Sequence, residues 1–156
     1  MSGNQPQLLN IDAFTVQGYQ VRTRNADEAI SSSAKIGSLW GRFYQAKVSG
    51  TQAWLNTSSE IYGVYSGYES DMNGYFYVTA AVPETQMTEG IKRVNIEAGK
   101  YLVFTGQGAM PQTVMDVWMQ IWAYFTQDKP PHTRRYSTDF EAYIGADQVV
   151  IHIAVE

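Results

Sequence analysis

The sequence predicts an α+β fold in which two β-α-β-β units are fused with pseudo-twofold symmetry. Three observations predict it: strands and helices occur in the same order twice, matching residues recur at a nearly constant offset, and both helices have one apolar face. At 156 residues the chain, 1–156, has the size of one domain, with half-repeats at about 8–82 and 91–155. Two such units joined edge to edge give one antiparallel sheet with both helices on one face and a ligand groove between the helices.

The first unit begins with a strand and a helix. Apolar residues recur with a period near two over Leu8–Arg24, which predicts an extended strand with a bulge at Gly18. Asn25 and Glu28 have the spacing of a capping box. Apolar residues then recur every three to four positions, which predicts one amphipathic helix over about Ala26–Ala46.

The first unit closes with a hairpin. The segment Val48–Ser59 is polar and predicts a loop or a weak extra element. Two strands rich in Tyr and Val follow, Ile61–Tyr68 and Tyr75–Val82. The segment between them, Glu69–Gly74, ends in an Asn-Gly pair, which is a strong turn signal.

The second unit repeats this order. Ile91–Gly106 predicts a strand pair or one long kinked strand, with a break at Ala98-Gly99. Pro111 is typical of a first helical turn, and the apolar spacing after it predicts a second amphipathic helix that ends before Pro130. The last hairpin follows in two strands, Arg135–Gly145 and Gln148–Val155.

The repeat is visible in individual residues. Trp40 and Trp122 occupy similar places in the two helices and are 82 residues apart (122 − 40). In the hairpins, Tyr65 matches Phe140 at an offset of 75 (140 − 65). The second unit therefore has the shorter connection between its helix and its hairpin.

Charge and composition exclude several classes of protein. The chain has 11 Lys and Arg against 15 Asp and Glu, a net charge of −4, and no basic run longer than Arg134-Arg135. Because nucleic-acid binding needs a basic surface, we expect no direct contact with nucleic acid. The absence of cysteine excludes a disulfide scaffold, a Cys-ligated metal site and a Cys nucleophile.

The same composition bears on location and chemistry. The N-terminal residues have neither a basic nor a long apolar segment, and no stretch approaches the ~18 apolar residues of a membrane helix, so we expect a cytoplasmic protein without membrane contact. His132 and His152 are not at metal-ligand spacing, and Gly106-Gln107-Gly108 is not followed by the lysine of a phosphate loop. We therefore expect no metal, no cofactor and no dedicated catalytic residue, which favours a protein that is not an enzyme.

Several segments carry a resemblance when taken together. They span nearly the whole chain: Gly37–Phe43, Ile61–Tyr65, Gly99–Gly106, Gln120–Trp122 and Tyr136–Tyr143. Their order and spacing resemble the gyrase-inhibitor-like small-molecule-binding domain, which is the effector-binding module of AraC-type and MerR-type multidrug regulators. The chain is most similar to the free-standing cationic-drug-binding members of this family that are carried on integron gene cassettes.

The resemblance implies the duplicated β-α-β-β fold and an aromatic pocket around a buried glutamate that binds flat, lipophilic cations. The Phe/Tyr-Glu-x-Tyr segment of the family matches Phe140-Glu141-Ala142-Tyr143, so the acidic role passes to Glu141. The regulators carry a helix-turn-helix domain before this module, whereas here the module begins within about ten residues of Met1. We therefore expect any effect on transcription to need a separate DNA-binding regulator.

The candidate ligand-binding residues combine one carboxylate with aromatic side chains. On the residues alone, a solvated carboxylate is the favoured interpretation of Glu141, and tryptophans at helical spacing are typical of a core. The resemblance favours a ligand-facing Glu141, and aromatic faces attract cations. The predicted set is Glu141, Trp40, Tyr65, Tyr75, Phe104, Trp118, Trp122 and Tyr143.

The expected function is non-enzymatic binding of small, hydrophobic, cationic compounds. Three alternatives stay open at this point: a hydrolase that detoxifies strained electrophiles with Glu141 as acid–base group, a protein-interaction module such as a gyrase antagonist, and a drug-sensing partner of a separate regulator. The sequence specifies neither the natural ligand nor the oligomeric state.

Overall fold

The computed structural model describes residues 6–50, 52–56, 60–85 and 89–156. The elements of the first half are β1 (Gln7–Ile11), β2 (Phe14–Thr23), α1 (Asn25–Glu28), α2 (Ile36–Ser49), a 3-10 turn (Ala53–Asn56), β3 (Ile61–Ser66) and β4 (Phe76–Pro83). Those of the second half are β5 (Lys92–Ile96), β6 (Gly99–Gln107), α3 (Gln112–Thr126), β7 (Asp139–Ile144) and β8 (Gln148–Val155). Within these ranges no helix is long and apolar enough to cross a membrane.

The eight strands form one curled antiparallel sheet in the order β1-β6-β8-β7-β3-β4-β2-β5. This order is symmetric about the β7–β3 pair, so β2, β3 and β4 correspond to β6, β7 and β8. The predicted α+β fold of two fused β-α-β-β units is confirmed. Each unit also has a leading strand that crosses to the other half, because β1 pairs with β6 and β5 pairs with β2.

The predicted strand Leu8–Arg24 is wrong in one respect, because it is two strands. The chain leaves β1 at Ile11 and enters β2 at Phe14, on the opposite side of the symmetric sheet order. The bulge expected at Gly18 is also wrong, since pairing with β4 runs without interruption through this residue. Gly18 is required for a different reason: a Cβ there would lie 1.9 Å from the backbone oxygen of Ala80.

The predicted helix Ala26–Ala46 is also divided in two, and the capping box is wrong. Asn25 does not cap α1, because its side-chain amide donates to the Met72 carbonyl at 2.8 Å. The carboxylate of Glu28 instead accepts hydrogen bonds from the backbone N–H groups of Lys35 at 2.8 Å and Ile36 at 3.2 Å. Glu28 therefore stabilises the start of α2, where a negative charge also interacts favourably with the positive end of the helix dipole.

The structural repeat differs from the offset that the sequence suggested. α2 buries Leu39 and Phe43, whereas α3 buries Val117 and Ile121, an offset of 78 (117 − 39). The strands β3 and β7 are equally long and have the same offset (139 − 61). Trp40 therefore corresponds to Trp118, and the sequence match to Trp122 was one helical turn too long.

Both faces of the sheet are buried, and the two helices cover one of them. Between α2 and the sheet lie buried side chains that include Phe43 and Val78. Between α3 and the sheet lie others that include Ile121 and Ile151. The curl of the sheet encloses the opposite face around Phe140 and neighbouring apolar residues. The strands β3 and β7, which meet at the pseudo-twofold axis, are thus placed between the two helices.

Candidate ligand-binding site

A single carboxylate lies at the pseudo-twofold axis, on the helix side of the sheet. Glu141 is in β7, directly opposite Gly63 of β3, and is 2% exposed. Its Oε2 accepts hydrogen bonds from the Trp118 Nε1–H at 2.7 Å and the Tyr65 hydroxyl at 2.8 Å. Its Oε1 accepts one from the Tyr143 hydroxyl at 2.8 Å. All three donors are uncharged, and the ion pairs among the described residues do not include Glu141.

The protonation equilibria around this carboxylate follow from burial. Burial raises the pKa of Glu141 above its ordinary value of 4.5, and the three donated hydrogen bonds oppose that rise. Burial and the neighbouring carboxylate raise the pKa of the Tyr65 and Tyr143 hydroxyls well above 10. Both phenols therefore stay protonated and act as donors. The carboxylate of Glu141 accepts these hydrogen bonds, but no described residue neutralises its charge.

Gly63 provides the space that the carboxylate occupies. A Cβ at this position would lie 2.4 Å from Oε1 of Glu141 and 3.0 Å from the ring of Trp40. Gly63 and Glu141 are twofold equivalents at the offset of 78 (141 − 63). The axis therefore carries one carboxylate and one glycine, and a symmetric pair of acids is avoided. Gly63 was not predicted as a site residue.

Aromatic side chains cover the carboxylate from the α3 side. The ring of Trp118 lies 5.0 Å from that of Tyr65 and 6.0 Å from that of Trp122, measured between centroids. Trp122 is 38% exposed. This side thus forms a row of aromatic faces that runs from solvent to Glu141.

A matching row lies on the α2 side. The ring of Trp40 is 5.4 Å from that of Tyr143 and is stacked at 5.9 Å on Tyr44, which is 44% exposed. At the offset of 78, Tyr44 corresponds to Trp122 and Tyr143 corresponds to Tyr65. The match of Tyr65 to Phe140 that the sequence suggested is therefore wrong. Tyr44 was not predicted, although its position four residues after Trp40 places it on the same helix face.

The structure brings six of the eight predicted residues together: Glu141, Trp40, Tyr65, Trp118, Trp122 and Tyr143. The other two lie elsewhere. The ring of Tyr75 faces the guanidinium groups of Arg22 and Arg24, at 5.9 and 5.0 Å. Phe104 is 5% exposed and packs under α3, 5.6 Å from the ring of Tyr124.

A second buried carboxylate on the same strand is fully neutralised. Asp139 is 0% exposed and accepts hydrogen bonds from Arg134 Nη2 at 2.7 Å, the Tyr68 hydroxyl at 2.5 Å and the Ala154 N–H at 2.8 Å. The Arg134 side chain is 7% exposed, so this is a buried ion pair. Within residues 6–50, 52–56, 60–85 and 89–156, Asp139 therefore has an internal cation and Glu141 does not.

The chemistry of the site follows from the side chains around Glu141. Among residues 6–50, 52–56, 60–85 and 89–156, no cluster of three or more His, Asp or Glu side chains could hold a metal ion. The side chains that donate to Glu141 are two phenols and an indole. Aromatic faces attract positive charge, and here they lie beside one buried carboxylate.

Solved structures share the fold of this chain. An integron cassette protein from Vibrio cholerae is 40% identical, with a TM-score of 0.85 over 97% of this chain and 96% of that one. The protein SAV2435, in a structure bound to tetraphenylphosphonium, is 21% identical, with a TM-score of 0.75 over 98% of this chain and 94% of that one. A protein from Staphylococcus aureus MU50 is 22% identical, with a TM-score of 0.74 and 99% of both chains covered.

A match to a protein-family model shows the family to which the chain belongs. Comparison with curated proteins finds no match. The family model described as integron-associated effector binding protein matches residues 7–155, which is almost the full length of the chain. Among the described residues, that match covers α1, α2, α3, the strands β1 to β8 and every residue of the aromatic and acidic site. The chain therefore belongs to the family of integron-associated effector-binding proteins.

Proposed function

We propose that the protein binds one small lipophilic cation at Glu141, between the aromatic rows of α2 and α3, without chemical conversion. The observation that carries the proposal is that no cation pairs with Glu141 among the described residues. Glu141 is 2% exposed, burial raises its pKa, and the side chains that donate to it are neutral. The tetraphenylphosphonium bound to the structurally similar SAV2435 is a ligand of this type.

The energetics favour a delocalised cation over other ligands. A buried carboxylate is expensive unless an opposite charge accompanies it. A cation whose charge is spread over a large apolar surface is weakly hydrated, so it enters an apolar site with little loss of solvation. Each aromatic face that it contacts adds about 0.5–2 kcal/mol.

The neighbouring groups support binding without catalysis. General acid–base chemistry needs groups that change protonation near the working pH. The pKa values of the Tyr65 and Tyr143 hydroxyls are raised well above 10, and the indole of Trp118 does not titrate in this range. Glu141 therefore has no partner for a proton relay among the side chains that donate to it.

Charge selection tests the proposal. We expect tetraphenylphosphonium to bind in the micromolar range, about −8 kcal/mol, and to quench the fluorescence of the site tryptophans. Tetraphenylborate has nearly the same shape and the opposite charge, and triphenylphosphine oxide is a neutral relative. Both should bind at least about tenfold more weakly, a difference of about 1.4 kcal/mol. Equal affinity for the phosphonium and the borate would contradict the proposal.

Cation affinity should also fall as the pH decreases through the raised pKa of Glu141. The cation binds the ionised carboxylate, so protonation competes with the ligand, and the loss begins at a higher pH than the ordinary value of 4.5 would give. The free protein has the opposite dependence. Its Glu141 binds a proton more readily than in the unfolded chain, so this residue's contribution to stability declines as the pH rises through the folded-state pKa.

The measurement is a fluorescence titration with tetraphenylphosphonium, whose charge does not depend on pH, between about pH 4 and 8. His152 lies on the opposite sheet face, stacked on Phe140, and burial lowers its pKa to about 4, so its titration is confined to the acid end. The Glu141→Gln variant is the control and should show a flat profile. A wild-type affinity that is constant over this range would contradict the assignment to Glu141.

A further inference from the structure

We propose that Arg134 is an internal counter-ion that restricts the site to ligands carrying one positive charge. Asp139 and Glu141 are adjacent buried carboxylates. Arg134 already pairs with Asp139, in the way that we propose for a ligand cation at Glu141. This inference rests on the proposed function and adds a residue that sets its specificity.

The two carboxylates are close neighbours on one strand. Asp139 and Glu141 are two positions apart in β7, so both point to the helix side at a spacing of roughly 6–7 Å. Each accepts a hydrogen bond from a tyrosine of the first half. Tyr65 donates to Glu141 at 2.8 Å and Tyr68 donates to Asp139 at 2.5 Å.

Of these two carboxylates, Asp139 alone pairs with a cation in the part of the chain that the structure describes. Arg134 donates from Nη2 to its Oδ2 at 2.7 Å, and the guanidinium lies 4.4 Å from the ring centroid of Tyr136 and 5.9 Å from that of Phe125. The Arg134 Nε is buried and has no hydrogen-bond partner among the described residues. The group is thus held as a cation between a carboxylate and aromatic faces.

The charges of these three groups set the number of ligand charges that the site can neutralise. Glu141 and Asp139 carry two negative charges and Arg134 carries one positive charge, which leaves a net charge of −1. A second positive charge on the ligand, placed at the spacing of the two carboxylates, would meet Arg134. Without Arg134, the same region would carry two negative charges at a spacing that fits a short, rigid dication.

The test compares two probes of similar length. Methyl viologen carries two fixed positive charges, and N-methyl-4-phenylpyridinium carries one. We expect the wild type to bind the dication no more tightly than the monocation. Arg134→Gln should change the affinity ratio by at least about tenfold in favour of the dication. Arg134→Lys keeps the charge and should keep the wild-type ratio.

Loss of Arg134 leaves Asp139 buried without a cation, which destabilises the fold. The double variant Arg134→Gln with Asp139→Asn removes both charges, and its ratio should return to the wild-type value. Near-UV circular dichroism verifies folding. A wild type that prefers the dication about tenfold contradicts the inference without any variant. If the wild type binds the monocation but a folded Arg134→Gln leaves the affinity ratio of dication to monocation unchanged, the role of Arg134 is wrong and the proposed function stands. If the wild type binds no monocation, the proposed function is wrong as well.

Discussion

Glu141→Gln should weaken tetraphenylphosphonium binding by at least about tenfold, or 1.4 kcal/mol, and leave the protein folded. The substitution keeps the shape of the side chain and removes the charge that the cation neutralises. Because burial raises the pKa of Glu141, the ionised form is disfavoured in the empty site. We therefore expect the free energy of unfolding at neutral pH to be maintained or increased.

Fluorescence titration and denaturant unfolding measure the two effects separately. Glu69→Gln is the matched control, since it makes the same change at an exposed residue of the β3–β4 loop. It should bind the phosphonium with wild-type affinity. An unchanged affinity in Glu141→Gln would contradict the assignment of the cation site to Glu141.

The parts of the fold that the sequence predicts are those set by contiguous residues. The Glu69–Gly74 turn, α3 and the final hairpin each follow from a local pattern of apolar spacing and turn residues. The pairing of β1 with β6 joins residues that are almost a hundred positions apart, such as Leu8 and Leu102, and no local pattern specifies it. The offset error has a similar origin, because a shift of four residues keeps the same face of a helix buried.

The break between α1 and α2 shows a limit of local capping rules. Asn25 and Glu28 satisfy the capping-box spacing, but Asn25 bonds to Met72 in a distant loop and Glu28 caps a later helix. The three serines at positions 31–33 lie in the break. The Ser33 hydroxyl bonds to the carbonyl of Asp27, and such bonds compete with continued helix.

The residues of the candidate site that the sequence predicts are those whose positions follow from strand alternation or helical spacing. Glu141 and Tyr143 share a face by alternation, and Trp118 and Trp122 share one by helical spacing. Tyr75 could not be placed, because it lies in the irregular end of a loop where alternation does not apply. For Phe104 alternation gives the correct face but not the distance from the axis.

The role of Gly63 in the site comes from tertiary contacts, so no local sequence pattern predicts it. Gly63→Ala is a sharp test of the site because it changes those contacts directly. The added methyl group would lie 2.4 Å from Oε1 of Glu141 and 3.0 Å from the Trp40 ring, so both must move. Movement of Oε1 also breaks the hydrogen bond from Tyr143. We expect cation affinity to fall by at least about tenfold and the free energy of unfolding to fall by about 1–3 kcal/mol, as for other overpacked interiors.

Gly41→Ala is the matched control for this change. Gly41 lies in α2, is exposed and has no atom within 4 Å of an added Cβ. Alanine there should raise the free energy of unfolding by about 0.5–1 kcal/mol, because glycine is unfavourable inside a helix, and should leave the affinity unchanged. Denaturant unfolding and phosphonium titration of both variants give the comparison. Wild-type affinity in Gly63→Ala would show that the carboxylate does not need this space, and the ligand would then contact Glu141 in a different arrangement from the one that Gly63 now permits.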